Sequence, residues 1–98
     1  MIPIDQIGSL ALFARVVHHR SFSAAAREAG LAKSAVSRRI AELEQTLRVR
    51  LLHRTTRTLS LTEEGARVHE HARALVTAAD AAQEVAGLPP ARSVEPSA

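Results

Sequence analysis

A chain of 98 residues has the length of one domain and buries only a modest share of its surface, so its core is expected to be thin. Only Phe13 and Phe22 are aromatic and much of the apolar content is alanine, which leaves association with a second copy as a source of stability. The lack of cysteine excludes disulfides and thiolate metal ligands. The start carries neither the basic segment of a secretory signal nor a membrane-spanning apolar run, since Arg15 interrupts the nearest one. The expectation is a soluble cytoplasmic protein with no membrane partner and no cofactor.

The net charge of +3 conceals a sharper pattern. Residues 1–32 carry three arginines against Asp5 and Glu28, a net +1. Residues 33–58 set Lys33, Arg38, Arg39, Arg48, Arg50, Arg54 and Arg57 against Glu42 and Glu44, a net +5, and the remaining residues sum to −3. Such a concentration of positive charge is what a polyanion-binding surface requires.

In chain order, Asp5 is expected to cap a first helix whose Leu10, Phe13, Ala14 and Val17 follow i, i+3, i+4, i+7 spacing and pack behind the helices that follow. His18 and His19 end it. Neighbouring helical positions point about 100° apart, so a helix-end role suits this pair better than a shared metal. Ser23 is expected to cap a short second helix through Ala24 to Ala29, with Gly30 taking the left-handed conformation that ends it and Leu31 plugging the turn.

The third helix has two faces. Val36, Ile40, Leu43 and Leu47 form an apolar stripe, while Lys33, Ser34, Ser37, Arg38 and Ala41 share an arc of about 140° centred roughly 120° away from it. Those residues supply ammonium, guanidinium and hydroxyl groups for phosphate oxygens and purine edges, and small Ala41 lets the helix come close; Glu42 and Glu44 sit mostly off that face. Amphipathicity alone is common. A short alanine-rich helix, a glycine turn and a second helix with a basic face together make a helix-turn-helix signature.

Leu51-Leu52-His53-Arg54 and Thr58-Leu59-Ser60-Leu61 around Thr55-Thr56-Arg57 then read as a two-stranded wing, whose Arg54 and Arg57 suit a minor groove or phosphates. Thr62 is expected to cap a long fourth helix with Glu63 and Glu64 in its first turn, and Gly65 denies it a full capping box. Val68, Ala72, Leu75, Ala79, Ala82 and Ala86 repeat at intervals of four and three, with Val76 beside them, a seam that permits close approach of a partner helix. From Glu63 to Ala86 the helix would be roughly 36 Å long, more than a small domain covers, so dimerisation is expected along it. His69 and His71 lie on different sides, which disfavours a zinc site. Gly87-Leu88-Pro89-Pro90 ends the helix, and Ala91 to Ala98 has too little apolar material to fold.

These residues resemble the amino-terminal DNA-binding domain of LysR-type bacterial transcription regulators over about residues 5–87. The match runs through Phe13, Ser21-Phe22-Ser23, Ala25-Ala26, Leu31, Ser34-Ala35-Val36-Ser37-Arg38, Ile40, Leu43-Glu44, Leu47, Leu51, Arg54, Arg57, Leu61-Thr62 and Gly65. The resemblance implies a mainly α fold: a winged helix-turn-helix of three helices plus a two-stranded wing, followed by a long dimerisation linker helix that pairs antiparallel in a homodimer. It also implies a carboxy-terminal domain that binds a small-molecule effector, absent here, and leaves a tetramer open for the full-length protein; the chain then reads as a shortened piece. The expected division is 1–61 for the DNA-binding domain, 62–87 for the linker helix and 88–98 for a disordered tail.

By the same resemblance, Lys33, Ser34, Ser37 and Arg38 contact operator or promoter DNA, the wing contributes Arg54 and Arg57, and Ser23 joins that set. Four positions depart from the family pattern. Arg20 and Arg48 stand where glycine is usual, Ala32 where a Ser or Thr commonly caps the recognition helix, and Lys33 where glutamine is frequent. The leading reading is a sequence-specific transcription regulator. The alternatives are a winged-helix regulator of another family, distinguishable by how the linker helices pair, and a plain helical dimerisation module, which leaves the basic cluster unexplained. An enzyme would need a nucleophile with a nearby base, a phosphate loop or metal spacing, and none is present.

Overall fold

The computed structural model describes residues 1–54 and 59–87. The chain runs α1 (Ile4–His19), α2 (Phe22–Ala29), α3 (Lys33–Leu47), β1 (Leu52–Arg54), β2 (Leu59–Leu61) and α4 (Glu63–Val85). This is a winged helix-turn-helix with a long carboxy-terminal helix, as the residue pattern leads one to expect. Thr55 to Thr58 of the wing and the tail from Leu88 lie outside the described residues.

α1 is the central element, packed against α2, α3 and α4. It therefore buries Ser9, Leu12, Phe13, Ala14 and Val16, a wider face than the expected stripe, with Leu10 and Val17 half-buried at its margin. Asp5 does not cap it. The carbonyl of Pro3 accepts from the Gln6 N–H at 2.9 Å, so the helix starts at Ile4 and Asp5 falls in the first turn, where its carboxylate meets the positive end of the dipole.

The cap of α2 is also displaced. Ser21 has extended backbone (φ −163°, ψ 126°) and its Oγ accepts from the Ala24 N–H at 3.0 Å, while Ser23 lies exposed in the first turn. Both serines are good caps in isolation. The decision is made upstream, where Arg20 turns left-handed at φ 55° and delivers Ser21 in the extended conformation a cap needs. Gly30, at φ 72°, ends α2 as expected, with the Leu31 N–H donating to the Ala26 carbonyl at 2.9 Å. Leu31 does not plug the turn: its backbone closes it, but its side chain is 38% exposed at the edge of an apolar groove shared with Ile7, Leu12, Leu75 and Val76.

Arg20 and Arg48, at φ 55° and 61°, are the two non-glycine residues with left-handed backbone among the described residues, and they are two of the positions read from the sequence as replacing a usual glycine. A left-handed L-residue is strained by ~1–2 kcal/mol, and a glycine gains ~0.4–1 kcal/mol of extra unfolded-chain freedom. Arg20→Gly is therefore expected to raise unfolding stability by about 0.5–1 kcal/mol in urea denaturation. A measured loss would contradict left-handed strain there.

β1 and β2 pair antiparallel, Leu52 opposite Leu61, His53 opposite Ser60 and Arg54 opposite Leu59. Leu52, Leu59 and Leu61 turn inward and His53 and Ser60 outward, the two-residue alternation of a sheet with one wet face. Thr62 caps α4 through its Oγ, which accepts from the Gly65 N–H at 2.8 Å, and Glu63 and Glu64 occupy the first turn. Phe13, Val16, Val36, Ile40, Leu43, Leu51 and Leu52 form the centre of the core. Among the described residues no helix is long and apolar enough to cross a membrane.

Candidate nucleic-acid interface

α3 carries its two faces in three dimensions. Val36, Ile40 and Leu43 are each 0% exposed and Leu47 is half-buried, whereas Lys33, Ser34, Arg38 and Ala41 are exposed and Ser37 is half-buried. Val36, Ile40 and Leu43 are consumed by the core, so the polar arc projects from a helix that cannot rotate without exposing Ile40 and Leu43. Ala32 offers no side-chain cap, which leaves the first amides of α3 without a side-chain acceptor of their own chain, at the end where an incoming anion is favoured.

The wing is held to α3 by a residue to which the sequence assigned no role. Glu44 is 8% exposed, and its Oε2 accepts from the N–H of Leu51 at 2.8 Å and of Leu52 at 3.3 Å. Its helical phase lies about 40° from Ile40, on the edge of the apolar stripe, and that phase was the available signal. The carboxylate fixes where β1 departs and hence where the wing stands relative to the polar arc. Arg54 ends β1 opposite Leu59; Arg57 lies outside the described residues.

Behind α2, the His19 Nε2 meets Glu28 Oε1 at 2.8 Å and Arg15 approaches the same carboxylate at 3.8 Å, tying the end of α1 to α2. The His19 hydrogen bond, opposed by partial burial and aided by Arg15, holds the Glu28 carboxyl below its ordinary value. The role of His19 is thus to bridge helices at a helix end. His69 packs edge-on against Phe13, ring centroids 6.1 Å apart, and burial lowers its pKa, while His71 is exposed. Among the described residues no group of three or more His, Asp or Glu side chains gathers around a common point.

The seam along α4 divides. Ala72 is 0% exposed and Val68 and Val76 pack on the chain's own core, so this part of the expected dimer stripe is occupied within the chain. Leu75 is half-buried beside Val76 in the apolar groove; Ala79, Ala82 and Ala86 are exposed, as is Val85 at 90%. α1 covers the first half of α4 and the second half projects beyond it.

These elements define a winged helix-turn-helix protein with a basic, largely exposed face on α3. The family model described as "Bacterial regulatory helix-turn-helix protein, lysR family" matches residues 7–66, and the chain belongs to that family. It is 47% identical over 76 residues to an HTH-type transcriptional regulator of Xanthomonas campestris pv. campestris (strain 8004), covering 78% of this chain and 22% of that protein. It is 47% identical over 70 residues to the HTH-type transcriptional regulator DmlR of Escherichia coli (strain K12), covering 71% of this chain and 23% of that one. Among solved structures, it resembles the BenM DBD in its complex with catB site 1 DNA, with TM-score 0.74 and 31% identity over 83% of this chain and 91% of that chain. Full-length AphB of Vibrio cholerae, a virulence activator, gives TM-score 0.73 and 33% identity over 80% of this chain and 27% of that one. The chain thus spans about a quarter of the length of the curated relatives it matches.

Proposed function

We propose that this chain binds double-stranded DNA sequence-specifically as the DNA-reading part of a bacterial LysR-type transcription regulator. The observation that carries the proposal is the division of α3 between a largely buried apolar stripe and a largely exposed basic arc. In this reading the amino-terminal half of α3 enters the major groove, where Lys33, Ser34, Ser37 and Arg38 meet base edges and phosphates. The Ser23 hydroxyl at the start of α2 reaches the backbone, and Arg54 and Arg57 of the wing lie at the minor groove. Residues 1–61 form the DNA-binding unit and 62–87 the linker helix; an effector-binding domain and the response to a small molecule belong to the rest of the full-length protein.

Arg38→Ala should weaken binding to a preferred duplex by about tenfold or more, because a lost bidentate base contact costs ~1–3 kcal/mol. Fluorescence anisotropy at fixed salt measures it; affinity equal to the parent's would remove Arg38 from the interface.

The same reading includes a homodimer through α4. Its support is the exposed apolar run Ala79, Ala82, Val85 and Ala86, continuous with the groove around Leu75. Ala82→Glu should convert a dimer into a monomer in sedimentation at tens of micromolar, about the concentration at which a modest association is populated. An unchanged dimer would move the interface elsewhere.

A further inference from the structure

At the far end of α3 the basic surface continues past the residues to which the reading above gives a DNA contact. Arg38, Arg48 and Arg50 line an open groove of about 520 Å³ together with Ala41, Glu42 and Gln45. We propose that Arg48 and Arg50 form a phosphate clamp that grips the backbone of duplex DNA beyond the edge of the major groove; the proposal rests on the DNA-binding reading above.

The first support is the backbone. Closing α3 requires a left-handed residue whose N–H meets the Gln45 and Glu44 carbonyls, and glycine would do this without strain. Arg48 holds that conformation at φ 61° with its side chain exposed, so the fold accounts for the turn but not for the guanidinium. The second is position. Arg48, just past the end of α3, lines the same groove as Arg38 and Ala41 of the polar arc, and it stands ~15 Å along the axis from Arg38. A major groove is only about 12 Å wide, so with Arg38 at the bases the end of α3 overhangs a phosphate strand.

Charge balance is the third support. Three guanidinium groups face two carboxylates at this groove, a net charge of +1, and one of those carboxylates, Glu44, is buried and turned to the Leu51 and Leu52 amides. None of the ion pairs among the described residues involves Arg38, Arg48 or Arg50. Continuity with the recognition arc favours a DNA phosphate over any other anion.

The test measures affinity against salt for the parent and for R48Q, R50Q, R48K, R48G and R73Q, on the duplex preferred in site selection and on a scrambled one. Arg73 is exposed on α4 and serves as the control. R48Q and R50Q should each flatten the slope of log K against log salt by about 0.9, so that the affinity ratio between about 50 and 200 mM shrinks roughly 3.5-fold, equally on both duplexes. R48K and R73Q should keep the parent slope. R48G should flatten the slope as R48Q does while raising Tm by a few degrees, a pair of opposite changes that a merely tolerated surface residue does not produce. Parent-like slopes in R48Q and R50Q overturn the clamp, as does an effect confined to the preferred duplex. Should the parent itself bind neither duplex, the DNA-binding reading fails and the clamp with it.

Discussion

Gly65→Ala should destabilise the protein by about 3 kcal/mol, lowering Tm by roughly 12–24 °C in thermal denaturation. A Cβ on Gly65 would sit 2.0 Å from the Leu51 carbonyl oxygen and 2.9 Å from its carbon, a contact with backbone that no rotamer relieves. Neither side can yield cheaply. Leu51 is 0% exposed, its carbonyl accepts from the Thr62 N–H at 3.0 Å, and the Thr62 hydroxyl donates to the Arg50 carbonyl. The gain of about 1 kcal/mol in helix propensity offsets only part of the clash. For a domain whose whole stability is on the order of 5–15 kcal/mol, the remainder is large. A variant within 0.5 kcal/mol of the parent, roughly the spread of neutral surface changes, would mean that α4 does not approach Leu51 this closely.

Glu44→Ala should have an effect of similar size through a different mechanism. It removes the acceptor of two backbone N–H groups, those of Leu51 and Leu52, in a site where both residues are buried. Each orphaned buried donor costs ~1–3 kcal/mol, and relief from burying a carboxylate returns part of that, leaving a net loss of about 2–4 kcal/mol. Glu44→Gln keeps an acceptor oxygen in nearly the same place and should lose about half as much. Hydrogen exchange at the Leu51 and Leu52 amides separates this from a general loosening: protection at these two amides should fall more than at Val36 or Ile40. Equal stability of the Ala and Gln variants would show that the two hydrogen bonds do not hold the wing.

The parts of the fold legible in the sequence are those with local causes. The Val36, Ile40, Leu43 spacing, the left-handed turn at Gly30 and the Thr62 cap each depend on a few neighbouring residues, and all three stand where the pattern puts them. Where the reading and the structure part, the deciding interaction is distant or is shared between equivalent candidates. Ser21 and Ser23 cap equally well in isolation, and the left-handed Arg20 chooses between them. Ala72 and Ala79 occupy the same seam, but only the first is buried by the rest of the chain. Gly65 read as a flaw in a capping box, because the Leu51 carbonyl that excludes a side chain there is fourteen positions away in sequence. For the interface, charge and helical phase identified which side of α3 is polar; which atoms meet which bases is decided by the DNA partner, whose sequence and shape are not written in this chain.

Selection of binding sites from a random duplex library with this chain is the most direct measurement of its central property. The expected result is one enriched motif, present as two inverted half-sites about 10 base pairs apart or a multiple of that, as a two-fold dimer with two recognition helices requires, and degraded by Arg38→Ala. The contrary result is a library that stays random while binding persists with a steep salt dependence. In that case the basic arc of α3 would be a non-specific polyanion surface and not a reader of sequence.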